Sequence, residues 1–520
     1  MSSHSPSARE VNPWIVAIAV MFGTFMEVLD TTVVNVSLPH VAGSMSATTD
    51  EATWALTSYL VANAIILPIT GWLANHFGRK RLLMASISGF TVASFFCGFA
   101  PNLPVLILFR VIQGAAGGAL QPLSQAVLLE AFPPEQHGKA MGFWGLGIVV
   151  APILGPVLGG WLTDNYSWRW VFYINIPIGV ASFLMTRMFV FDPPYIKRST
   201  AGVDYWGIGM LAVGIGALQV MLDKGQQEDW FSSNLITALL AIAVVTLAVF
   251  VVRELRVKAP VVDLRIFHNR TYSTGTLLMT ALGFCLYGSL VLLPLWLQTL
   301  LGYPALQAGI AMAPRGIGSF VAMPVIGSLL GRFDARKFLA AGLLLAGGTM
   351  IQFSRLDLNA GYWDFFWPQF VQGLSLGMMF VPLTTISMGP IPKEKMGNAT
   401  SIFNLLRNVG GSVGIAISTT LVARYTQTNT NSLVSHVTPF DPKTQALIGS
   451  IKQALIARGS PAYHAATQSY AAVYGMVERQ ATILAFLDVF RVLGVIFFLL
   501  APLVLIMRRP GKSAGPAATH

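Results

Sequence analysis

Three ionisable residues stand in this chain where its neighbours are almost all apolar. Glu27 and Asp30 lie three residues apart in the stretch MEVLDTTVVNVSLP (26–39), and Arg110 lies five residues into a second apolar run that begins at 105. Residues at i and i+3 share one helix face, so the two acids point the same way as Val34 and Ser37. A charged carboxylate at mid-membrane costs roughly 2.5 kcal/mol or more. Low dielectric disfavours the charged form, and repulsion between neighbours disfavours it further for one of them. Such a pair can take up a proton and return it when water arrives, titrating as a unit if the acids touch. A second reading has Glu27 near the helix end, merely snorkelling to the interface. Arg110 is the natural counter-charge and must face a cavity or a partner; a purely structural ion pair or a clamp on carbonyls would use it equally well.

The elements that must hold these groups follow from composition. Of 520 residues, 54% are hydrophobic and 11% charged, against about 25% charged in soluble domains. The apolar residues fall into fourteen blocks of roughly 20, the first at 14–36 and the last at 486–507, each long enough to cross a core of about 30 Å. The expected fold is an all-α polytopic membrane protein with 14 transmembrane helices. No A-x-A-like cleavage site follows the first block, which reads as a retained helix.

Basic residues crowd alternate loops: Arg79, Lys80 and Arg81; Lys197 and Arg198; Arg253 to Arg270; Arg332, Arg336 and Lys337; Lys393 and Lys395; Arg508, Arg509 and Lys512. Positive loops stay in the cytoplasm, which, with an even number of helices, predicts that both termini are cytoplasmic. The net charge of +11 is then topological bias and not a nucleic-acid footprint. Cys97 and Cys285 both fall in predicted helices. No GxxxxGK[ST] loop occurs: the tail GKS (511–513) has Ile506 where the first glycine belongs. ATP hydrolysis, enzyme chemistry, a cofactor and a metal are not expected.

An internal repeat organises the chain. GWLANHFGRKRLL (71–83) matches GSLLGRFDARKFL (327–339) at an offset of 256, with Gly71/Gly327, Leu73/Leu329, Phe77/Phe333 and Leu83/Leu339 identical. Gln113, Gly114 and Gly118 match Gln372, Gly373 and Gly377 at an offset of 259, as do Pro133, Glu135, Gly138 and Ala140 with Pro392, Glu394, Gly397 and Ala399. Both copies lie on one side, so the repeats are parallel. The expected organisation is a cytoplasmic tail (1–13), a six-helix bundle (14–191), an inserted pair, helices 7 and 8 (205–252), a second six-helix bundle (272–507) with a long periplasmic loop (423–485), and a tail (508–520). Two parallel six-helix halves with a site between them suit a transporter.

The ordered motifs VLDTTVVNVSLP, the 71–83 loop, RVIQGAAGGAL (110–120) and GPVLGG (155–160) resemble the signature set of the drug–proton antiporters of the major facilitator superfamily. WRWVFYINIPIG (168–179) and LDKGQQEDWF (222–231) resemble its fourteen-span EmrB/QacA branch, EmrB-like multidrug efflux permeases above all. The resemblance covers essentially the whole chain. It implies proton coupling by Asp30, Glu27 and Arg110, with antibiotic-type lipophiles exported by alternating access. It also implies a periplasmic adaptor and an outer-membrane channel as partners. The stripe of Gly147, Ala151, Gly155 and Gly159, with Pro156 and Gly160, permits close helix approach; the resemblance implies that it seals the two halves. In the gate loop of Gly71, Asn75, Gly78, Arg79, Lys80 and Arg81, Asn75 stands where the family has aspartate. That removes the expected latch and leaves the three basic residues anchored at the interface. Asn35, Gln113, Arg407 and Arg315 are candidates for the substrate cavity. Helical spacing of Leu447, Ile448, Ile451 and Leu455, and of Tyr463, Tyr470 and Tyr474, predicts amphipathic helices in the long loop. An exporter of one metabolite, such as a siderophore or organic acid, would share these motifs; a non-transporting sensor is the remaining class.

Overall fold

The computed structural model describes residues 12–192 and 204–507, apart from Gly331 and Pro439. The tails and the segment holding Lys197 and Arg198 lie outside the described residues. Among the described residues, fourteen long helices follow one another: α1 (Pro13–Ser44), α2 (Thr49–Phe77), α3 (Arg79–Phe99), α4 (Leu103–Ala131), α5 (His137–Asn165), α6 (Trp170–Phe189), α7 (Tyr205–Lys224), α8 (Asn234–Arg256), α9 (Arg270–Leu295), α10 (Ala305–Leu329), α11 (Ala335–Phe353), α12 (Tyr362–Met388), α13 (Met396–Val434) and α14 (Ala462–Leu500). Thirteen of them are long and apolar enough to cross a membrane. The other, α11, has 19 residues and opens on Arg336 and Lys337, which dilute its apolarity; it packs between α12 and α14 like its neighbours.

Local chemistry sets the helix starts. Asn12 accepts from the Trp14 amide, with Pro13 in the first turn where its missing N–H costs nothing. Thr48 and Glu51 form a reciprocal capping box at α2. At the α2–α3 junction, Gly78 has φ +92°, a conformation that side chains disfavour.

Packing repeats between the halves. Helix α1 lies on α5, α2 on α4, and α3 on α4 and α6; α9 lies on α13, α10 on α12, and α11 on α12 and α14. The inserted α7 and α8 pack on each other, and α7 also touches both α2 and α13, one from each half. The halves meet directly through α2 with α13 and α5 with α10.

The loop predicted over 423–485 carries the amphipathic helices expected around 447–455 and 463–474. Helix α13 continues to Val434, beyond the apolar block 399–422, and α14 begins at Ala462, ahead of the block 486–507, each 39 residues long. At 1.5 Å per residue that is about 58 Å, nearly twice a bilayer core. Hydropathy marks where a helix leaves lipid, not where it ends, so most of the predicted loop is helical extension. A shorter helix, Pro442–Ala457, capped by Asp441, lies along α14.

Candidate functional site

Asp30 is fully buried and paired with Arg110 of α4, Oδ2 to Nη1 at 2.5 Å, with Arg110 equally buried. Its other oxygen accepts from Gln113 Nε2 at 3.0 Å and Asn175 Nδ2 at 2.7 Å. Arg110 also donates to Gln113 Oε1 at 2.8 Å and, through Nε, to the Ala55 carbonyl at 2.9 Å. The Tyr59 ring lies 4.1 Å from the guanidinium carbon and the Phe172 ring 5.7 Å. Asn175 donates in turn to Ser94. Helices α4 and α6 thus donate to one carboxylate on α1, while α3 holds Asn175 through Ser94 and α2 holds Arg110 through the Ala55 carbonyl. Such a pair is stable only while both charges persist, because removing one leaves the other buried and uncompensated.

Glu27 goes elsewhere. It accepts from Asn63 Nδ2 of α2 at 2.9 Å and stands beside Gln121, to which Arg407 of the second half donates at 2.6 Å. The expected acid pair is therefore split: Asp30 turns into the first half and Glu27 toward the junction with the second. Glu27 is 5% exposed and does not snorkel. Gln113, expected in the substrate cavity, belongs to the Asp30 cluster. Asn35 is exposed and joins neither group. Arg407 is buried and held by Gln121 and Asn408; Arg315 is buried in α10.

The helix-5 stripe packs inside the first half. A Cβ on Gly147 would lie 2.8 Å from Met21, one on Gly155 would overlap Thr32, and one on Gly159 would lie 2.9 Å from the Val33 carbonyl, all in α1. Thr32 also reaches the Ala151 carbonyl. Pro152 and Pro156 sit within the helix, and Gly160 faces open space. The contact of α5 with the second half is made by its opposite face, where Gly138 abuts Gly327 and Gly142 abuts Met323 of α10.

The gate loop keeps a latch despite Asn75, which is half-buried. Arg79 is buried, not interfacial; it pairs with Glu130 of α4 and donates to the Lys393 carbonyl across the junction. Asp192 accepts from the Lys80 amide at 2.8 Å and sits beside Gly78, while Lys80 Nζ donates to the Arg187 carbonyl. Arg81 is exposed. Two carboxylates remote in sequence replace the missing one. Gly71 presses on the Asn398 backbone, where a Cβ would come within 2.6 Å.

The Major Facilitator Superfamily profile matches residues 20–415. The chain belongs to that superfamily. It is 41% identical to the multidrug export protein EmrB of Haemophilus influenzae, over 84% of this chain and 86% of that one. It is 38% identical to the fatty acid resistance protein FarB of Neisseria gonorrhoeae, over 96% and 97%. The fold is shared with the human organic anion transporter MFSD10, at a TM-score of 0.59 and 12% identity, covering 94% of this chain and all of that one. It is a multi-pass membrane transporter and not an enzyme.

Within this superfamily fold, five polar residues were missed by sequence reasoning: Asn63, Gln121, Asn175, Glu130 and Asp192. Asn175 lay inside the quoted motif WRWVFYINIPIG, so a buried amide in an apolar run was the available signal. Glu130 ends its apolar run, where a carboxylate looks solvated.

Proposed function

We propose that the chain is a proton-driven multidrug exporter of the inner membrane, with both termini cytoplasmic, moving lipophilic compounds outward by alternating access. The enclosed Asp30–Arg110 pair carries this reading. A proton reaching Asp30 cancels its charge, leaves Arg110 uncompensated, and so forces the α1, α3, α4 and α6 cluster to rearrange. One proton moving down 100 mV supplies about 2.3 kcal/mol, so an exchanged proton can support a substrate gradient. Glu27 stands at the junction of the halves, where its charge attracts cationic substrates and where Arg407 attracts anionic ones.

Closure at the end bearing the Arg79 and Lys393 loops supports alternating access. There Gly71 abuts Asn398, Gly138 abuts Gly327, Thr400 donates to the Pro122 carbonyl at 3.0 Å, and Asn404 donates to Gln125 at 2.6 Å. With those loops cytoplasmic, the inner mouth is shut. The long outer ends of α13 and α14, with Tyr463, Tyr470 and Tyr474 exposed, suit docking of a periplasmic adaptor that leads to an outer-membrane channel.

The deciding experiment reconstitutes the protein in proteoliposomes under an imposed proton gradient. Addition of a lipophilic substrate should release protons from wild type and not from Asp30→Asn. Substrate-independent proton movement in both would defeat the reading.

A further inference from the structure

The repeat extends into the core, and there the second half departs from the first. Gln372 is the counterpart of Gln113, 372 − 113 = 259, and Gln369 the counterpart of Arg110, 369 − 110 = 259. Gln113 donates to Asp30; Gln372 donates, at 3.4 Å, to Ser289, and 289 − 30 is again 259. Gly114 presses on the Tyr59 carbonyl, and Gly373 presses on the Arg315 carbonyl, with 315 − 59 = 256, the offset of the α2–α10 match. The second half therefore holds a copy of the coupling cluster in which the acid has become Ser289, the arginine Gln369, and the ring beneath it Arg315. The cation has moved one helix over and its carboxylate has gone.

Arg315 is 7% exposed, and among the described residues its side chain has no hydrogen bond, ion pair or ring contact. Gln369, one turn before Gly373, is 1% exposed and its Oε1 has no hydrogen-bond partner. Guanidinium does not give up its proton in proteins, and a charge at this depth calls for a partner or a cavity. The chain supplies that partner to Arg110 and withholds it from Arg315.

We propose that Arg315 receives the anionic head of a transported compound, a carboxylate on an apolar body, with Gln369 of the adjoining turn of α12 as a second donor. The planar fork of the guanidinium matches a carboxylate in two parallel hydrogen bonds, and the Gln369 amide can donate a further one. The first half thus handles the proton and the mirror position in the second half handles the substrate's charge. This rests on the export reading above and names the charge of the substrates that reading leaves open.

The test uses the full-length protein in nanodiscs, with binding measured by calorimetry for 1-naphthaleneacetate, its uncharged amide and 1-naphthylmethylammonium. Wild type should bind the carboxylate at least tenfold more tightly than the amide. Arg315→Gln should remove that preference and leave amide and ammonium binding within twofold. Arg315→Lys should keep part of it, and Gln369→Leu, which leaves the charge in place, should reduce it several-fold. If Arg315→Gln cannot be purified intact, the Lys and Leu variants decide: full carboxylate preference in both overturns the proposal. So does an unchanged preference in Arg315→Gln. An inorganic anion as the sole occupant is separated by exchanging chloride for gluconate. A wild type that melts lower without chloride, yet binds carboxylate and amide equally, would also overturn it. If wild type binds none of the three compounds, the proposal is overturned, while the export reading stands or falls on proton release in proteoliposomes.

Discussion

Gly138 of α5 and Gly327 of α10 face each other backbone to backbone: a Cβ on either would lie 2.5–2.8 Å from the other's carbonyl oxygen. The same junction recurs on the other side of the bundle, where Gly71 of α2 meets Asn398 and Gly397 of α13. Gly71 and Gly327 are repeat counterparts, as are Gly138 and Gly397. Two crossings related by the repeat therefore close one end of the transporter, and each works because side chains are missing there.

Filling one crossing should open that end. Gly138→Leu cannot be accommodated without moving α10, because the obstruction is backbone. Export should drop at least tenfold, and a cysteine placed at Ser401, buried near the closure, should become reactive to a thiol reagent added from the cytoplasmic side. Unaltered reactivity with normal export would show that α5 and α10 do not form the seal.

Asp30→Asn keeps the size and two of the hydrogen-bonding positions but strands Arg110. Uphill export should vanish, and stability should fall by up to roughly 3–5 kcal/mol, the usual loss when one partner of a buried pair is removed. Adding Arg110→Gln should recover most of the lost thermal stability in detergent and none of the export. Recovery of both would make the pair structural only.

Gly155→Leu tests the other face of α5. Its side chain would collide with Thr32, two residues past Asp30, so α1 should shift and export should fall sharply. The cysteine at Ser401 should stay protected, because the stripe packs within one half. A newly reactive cysteine would return the stripe to the interface between halves.

The inserted pair gives a pH prediction outside the membrane. Three hydrogen bonds from Arg253 hold the Asp204 carboxyl below its ordinary value, helped by the Gly207 amide. A carboxylate with a lowered folded value contributes stability above its unfolded value, about 3.9, and loses it as pH falls through the folded one. Asp204→Asn should therefore lower the melting temperature at pH 7, and the gap from wild type should close as the pH approaches 3. A gap independent of pH would mean that the link contributes no charge-dependent stability.

Much of the architecture was legible in one sequence. Block length set the helices, because only about 20 apolar residues span lipid. Alternate basic loops predicted a topology, and a constant offset between Gly71 and Gly327 exposed the repeat. Asp30 and Arg110 announced themselves by cost alone, since nothing but function or a partner excuses a charge at that depth. Even Arg315 was visible as an oddity, though without a role.

Tertiary structure decided how each helix is turned about its own axis. It sent Asp30 toward Arg110 and Glu27 toward Asn63, from positions that share a face. It put Gly155 on α1 and Gly138 on α10, and brought Glu130 and Asp192 to the gate loop that had lost its own acid. In a soluble helix the polar stripe reveals which side meets the core. In lipid both sides are apolar, so α5 carries almost no such asymmetry, and only the packed neighbours show which glycine touches what.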